Sequence, residues 1–127
     1  MLFDTNFLIT YQRGAKDVPK KRALAFLEAQ PEGAPFFISR VAGTEFVAGF
    51  ETSAAAKGYL RTFTVLEVDR LLWWDASRIV RTLGLRGKSI GVADSIIAAT
   101  ALNYSLPPVT NNTKHFSEVS GLDLRTY

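Results

Sequence analysis

A chain of 127 residues with 47% hydrophobic content has the length of one domain and enough apolar side chains for a core, which excludes a disordered chain and a second catalytic module. Cysteine is absent, so disulfides, thiolate zinc sites and cysteine nucleophiles are excluded, in keeping with a reducing compartment. The formal charge is +3, there is no basic leader, and no apolar run approaches the roughly 18 residues of a membrane span, so a cytoplasmic protein with no membrane partner is expected.

Taken in chain order, Met1 to Phe3 is a short apolar run closed by Asp4, and the apolar segment after it predicts a short helix. Pro19 to Ala29 reads as a helix, with Pro19 suited to its first turn, and Pro31, Gly33 and Pro35 mark a turn. Pro35 to Ser39 is a second strand and Arg40 to Phe50 a helix; Phe63 to Val68 is a third strand. Leu72, Ala76, Ile79, Val80 and Leu83 recur at helical spacing, and Ala93, Ile96, Ile97, Thr100, Ala101 and Tyr104 repeat that stripe. Gly84, Gly87 and Gly91 divide the two helices. Pro107 to Thr110 and Leu122 to Arg125 complete the strands. Short apolar strands alternating with amphipathic helices predict one three-layer α/β domain over residues 1–127, a short parallel sheet with helices on both faces, and in such folds ligands bind beyond the carboxyl ends of the strands.

Three acids occupy suggestive places in that scheme. Asp4 follows the first strand, Asp94 lies early in its helix where the dipole favours a carboxylate, and Glu45 is on the helix after the second strand. Singly, Asp4 reads as a helix N-cap and Glu45 as a solvent-facing acid. Together, carboxylates with few competing nitrogen or sulfur ligands suit Mg²⁺ or Mn²⁺, ions that activate water and polarise phosphoryl oxygens, so phosphodiester hydrolysis is the expected chemistry. Thr5, Asn6, Ser95 and Thr110 are candidates to fix the carboxylates or touch a phosphate, with capping and turn chemistry as the competing role. His115, the only histidine, reads as a packed or loop residue rather than a general base. Trp73 and Trp74 read as core residues, the alternative being one in the core and one at an interface.

If the three acids form one site, the remainder carries 15 basic against 9 acidic side chains, a balance suited to a polyanion. Arg13, Lys16, Lys20, Lys21, Arg22, Arg40 and Lys114 could track an RNA backbone. Arg86 and Lys88 stand out because they lie in the glycine-broken segment just before Asp94.

The motifs Phe3-Asp-Thr-Asn6, Ser39-x-x-x-x-x-Glu45 with Gly49, Gly91-x-Ala-Asp-Ser95 continuing to Ala101, and Thr110-x-Asn112 with His115-Phe116 together resemble the PIN-domain ribonucleases, and within them the VapC-type toxins. The motifs span nearly the whole chain. That resemblance implies a PIN-like fold, a metal-dependent attack of water on RNA that leaves a 5′-phosphate and a 3′-hydroxyl, and a homodimer silenced by a cognate antitoxin. It also implies Asp4 and Asp94 as principal metal ligands, with Glu45 acting directly or through a bound water. Many relatives carry a fourth acid where this chain has Asn112, an amide that brings no charge, so a second ion would be held less tightly. Two other readings stay open: a weakly catalytic scaffold that binds metal or a partner's basic tail, and an RNA-processing nuclease without an antitoxin.

Overall fold

The computed structural model describes residues 1–14, 16–67 and 70–127. Four parallel strands form its sheet: β1 (Leu2–Phe3), β2 (Phe37–Ser39), β3 (Thr64–Leu66) and β4 (Pro108–Val109), in the order β3-β2-β1-β4. Between and after them run α1 (Thr5–Gln12), α2 (Val18–Glu28), α3 (Arg40–Ala48), α4 (Ser53–Leu60), α5 (Leu72–Leu85), α6 (Val92–Asn103) and α7 (Thr113–Phe116).

Successive strand residues point to opposite faces of a sheet, so the burial of neighbours tells which faces are covered. Leu2 and Phe3 are both fully buried, as are Ile38 and Ser39, so helices cover both faces of the central strands, as the sequence pattern predicts. Phe3 meets Phe7, Phe26, Phe36 and Phe63 at ring-centroid distances of 4.4 to 6.3 Å, which makes it the hub of an aromatic core. The chain steps from β1 to β2 to β3 in one direction and then crosses back to place β4 on the other side of β1. That reversal creates a switch point between β1 and β4, the place where open parallel sheets hold ligands.

Helix starts follow directly from the strand ends. Asp4 leaves β1 and caps α1 by accepting the Phe7 N–H at 2.7 Å; Ser39 ends β2 and caps α3 by accepting the Ala42 N–H at 3.2 Å. The long helical region is divided later than its first glycine suggests. Gly84 stays inside α5, whereas Gly87 at φ +69° ends it, with the N–H groups of Gly87 and Lys88 returning to the carbonyls of Gly84 and Leu83.

Several expectations are corrected. Leu122 to Arg125 is no strand: a single parallel bridge joins Arg125 to Val109, while Leu122 and Leu124 rest their side chains on the core edge. The expected end of the third strand, Val68, lies outside the described residues. α4 and α7 carry too short an apolar pattern to announce themselves. Helix α6 is buried on more than a stripe, with Ser95 and every residue from Ile97 to Ala101 buried, and Tyr104 is exposed instead. Trp73 and Trp74 are 67% and 70% exposed; the α5 stripe that enters the core is Leu72, Ala76 and Leu83, and both indoles fall beside it. Among the described residues no helix is long and apolar enough to cross a membrane.

Removing the hub should therefore cost far more than removing an indole. Phe3→Ala is expected to lower unfolding free energy by about 3–5 kcal/mol, and Trp73→Ala by no more than about 0.5 kcal/mol in the isolated protein. Urea denaturation followed by circular dichroism measures both, and a similar loss in the two variants would contradict this core.

Candidate active site

Asp4 sits where β1 ends, at the switch point, and is 1% exposed. Its two carboxylate oxygens are both engaged: Oδ1 accepts the Phe7 N–H at 2.7 Å, and Oδ2 accepts the Thr110 hydroxyl. The capping role and the site role are thus the same geometry. Thr110 follows β4, is fully buried, and reaches Asp4 because β4 pairs directly with β1. Its Oγ1 in turn accepts the Asn112 N–H at 2.9 Å.

Asp94 lies in the first turn of α6, behind the N-cap Gly91, which has no side chain to offer the helix end. Its Oδ2 accepts from Asn112 Nδ2 at 3.4 Å and stands 3.1 Å from His115 Nδ1. A continuous path therefore runs from Asp4 through Thr110 and Asn112 to Asp94 and His115. Burial, opposed in part by the hydrogen bonds of Thr110, Phe7 and Asn6 and reinforced by the charge of Asp94, pushes the Asp4 carboxyl up from 3.8 to about 6. Two acids feel each other at the sheet edge, and among the described residues neither has a Lys or Arg ion pair.

Glu45 stands apart from this pair. It is on the exposed side of α3, and its Oε2 accepts the Thr5 hydroxyl one residue beyond Asp4. Among the described residues no group of three or more His, Cys, Asp or Glu side chains could hold a metal ion as they stand. The charge of Asp94 acts on Asp4, and Glu45 is tethered through Thr5, the residue next to Asp4.

The remaining candidates divide clearly. Asn6 contributes a side-chain hydrogen bond to Asp4, and Thr5 and Thr110 hold carboxylates as already described. Ser95 is buried, but its hydroxyl donates to the Val92 carbonyl at 2.7 Å within its own helix. Lys88 pairs with Glu118 at 3.1 Å. Arg86 ends α5 and lines a cavity of about 450 Å³ between α5, α6 and residues 118–120, a lining that includes none of the three acids. Their place before Asp94 in the sequence does not join them to the acidic pair. His115 is the residue that sequence reasoning undervalued, because α7 was not legible and a histidine three residues beyond Asn112 gains its meaning only on a helical turn.

Oxygen donors at the switch point, a carboxylate buried without a basic partner and a second acid within its field are a chemical match for a hard divalent cation. The comparisons with known proteins agree with the fold. The PIN domain family model matches residues 1–122. Ribonuclease VapC1 of Methanocaldococcus jannaschii is 30% identical over 130 residues, covering 100% of this chain and 86% of that protein. The tRNA(fMet)-specific endonuclease VapC of Shigella flexneri is 33% identical over 92 residues, 67% of this chain and 70% of that protein. A toxin–antitoxin complex from Klebsiella pneumoniae contains a chain of the same fold, with a TM-score of 0.75 and 27% identity over 95% of this chain and 93% of that one. PIN-domain nucleases generally depend on divalent metal ions. The extent of these matches establishes that the chain belongs to the PIN-domain family, in its VapC ribonuclease branch.

Proposed function

We propose that this chain is an endoribonuclease dependent on Mg²⁺ or Mn²⁺, and the toxin of a toxin–antitoxin pair acting in the cytoplasm. The observation that carries the proposal is the Asp4 carboxylate, buried without a cation beside Asp94 on a chain whose full length matches a ribonuclease. Asp4 and Asp94 hold the ion, and Glu45 joins them directly or through a water. The ion supplies the positive charge that activates water and polarises the phosphate.

The chain's own residues supply orientation. Thr110 and the Phe7 N–H fix both oxygens of Asp4, Thr5 holds Glu45 beside it, and Asn112 keeps Asp94 turned towards the β4 side. Asn112 offers an amide where many relatives have an acid, so the site carries one charge fewer and favours a single tightly held ion. Lys114, exposed next to His115, stands where a phosphate backbone could approach. A cognate antitoxin would inhibit by placing a basic side chain against the same acids, since crowded carboxylates favour any cation offered to them. The exposed Trp73 and Trp74 give a homodimer one apolar contact surface.

Purified protein is expected to cleave RNA with Mg²⁺ or Mn²⁺ and not in excess chelator. Asp4→Asn and Asp94→Asn should each lower the rate by roughly 10²-fold or more with circular dichroism unchanged, because asparagine keeps an acceptor for the Phe7 N–H and for Asn112. Undiminished cleavage in chelator or in both variants would overturn the nuclease reading, and a weakly catalytic metal-binding scaffold would remain if the parent binds metal without cutting.

The raised Asp4 carboxyl also makes a stability prediction. Its folded value lies above its ordinary one, so the folded state binds the proton more tightly, and the stability this confers at low pH is lost as pH rises from about 4 through about 6. The loss amounts to about 3 kcal/mol. In chelator, the melting temperature of the parent should therefore fall across that window relative to Asp4→Asn, and a divalent ion should restore it at pH 7.5 but not at pH 4. Parallel pH curves for parent and variant would show that Asp4 is not strained by its ionisation.

Asn112→Asp restores the missing charge at the same reach and is expected to strengthen binding of a second divalent ion, with activity gained at low metal concentration. Calorimetric titrations identical to those of the parent would place residue 112 outside the metal centre.

A further inference from the structure

Resting on the metal-dependent reading above, we propose that His115 is a positioning residue whose imidazole Nδ1–H, together with the Asn112 amide, holds the Asp94 carboxylate ready for the ion. The geometry begins in α7. Phe116 is fully buried and pins this four-residue helix to the core, which fixes the half-exposed His115 ring immediately before it. Asn112, the N-cap of α7, makes no capping bond with its side chain and donates to Asp94 instead. His115 lies three residues on, so both side chains leave the same face of the turn and converge on one oxygen, Asp94 Oδ2.

The two contacts are unequal. Asn112 Nδ2 stands at 3.4 Å, the long limit of a hydrogen bond, whereas His115 Nδ1 stands at 3.1 Å, so the imidazole is the stronger restraint. A carboxylate can only accept, so Nδ1 must carry the proton and the ring's Nε2 is left free in the neutral form. Without this restraint Asp94 has every reason to turn away. It sits in the first turn of α6, whose N-cap Gly91 has no side chain, so the helix's own unsatisfied N–H groups compete for its oxygens. The charge of Asp94 also opposes that of Asp4. Donation to Oδ2 counters both, and leaves Oδ1 for the cation.

The ring nitrogen involved decides the test, because the amide nitrogen of asparagine superposes on histidine Nδ1 and that of glutamine on Nε2. In isothermal titrations of the metal-free protein with Mn²⁺, His115→Ala and His115→Gln are expected to weaken binding by about 10-fold or more, the range for lost partners of metal ligands, and His115→Asn to bind within about threefold of the parent. Melting temperatures in chelator check that each variant folds, and the asparagine variant carries the test should alanine unfold the α7 turn. Since the chain has one histidine, its imidazole ¹⁵N spectrum is unambiguous and should show the Nδ1–H tautomer in the parent and its loss in Asp94→Ala. All three variants binding Mn²⁺ like the parent, or an Nε2–H tautomer in the parent, would overturn the role of His115 alone. A parent that binds no Mn²⁺ would instead overturn the metal-dependent reading and this proposal with it.

Discussion

Asp4 is a carboxylate buried at the end of the central strand with another acid in its field and no basic partner among the described residues, and most of the local structure answers to that constraint. A fold of this size has little stability to spare, so a charge that burial pushes towards neutrality needs compensation. The helix N-terminus of α1 supplies an N–H, the residue after β4 supplies the Thr110 hydroxyl, and in the proposed function a cation supplies the rest. The parallel pairing of β1 with β4 is what makes this arrangement reachable, since strands 106 residues apart in sequence end side by side. The same acid that starts a helix is thereby the centre of the proposed site.

The parts of the fold visible in the sequence are those governed by local pattern. The four sheet strands, the opening of α2 by Pro19 and the α5 stripe follow from apolar runs, helical spacing and turn residues, and each stands close to its expected place. The positions of Asp4 and Asp94 were legible for a related reason: one follows a strand and the other lies in the first turn of a helix, as expected, and the rule that ligands bind beyond strand ends makes them the candidates for a site. What pattern could not convey is mutual packing. The indoles of Trp73 and Trp74 look like core because they are large and apolar, yet the direction of the α5 stripe leaves both outside. Arg86 and Lys88 are near Asp94 in sequence, but the end of α5 directs them to a cavity and to Glu118. Glu45 needed the packing of α3 to show that it is tethered through Thr5, the residue next to Asp4.

α7 shows most clearly how a short element escapes notice and still shapes a site. Four residues carry no periodicity worth reading, but a single buried phenylalanine anchors them, and the turn they make brings an amide and an imidazole to one carboxylate oxygen. Asn112, seen from the sequence as a missing charge, is in the structure a donor that holds Asp94. One acid is held from the sheet and the other from α7.

The most direct test is an anomalous difference map from a crystal of this protein grown with Mn²⁺. The account predicts one strong peak at the β1–β4 edge, within about 2.1–2.3 Å of oxygens of both Asp4 and Asp94, with His115 still bonded to the far oxygen of Asp94. An ion bound elsewhere on the chain, or a peak at this edge that only Glu45 touches, would contradict it.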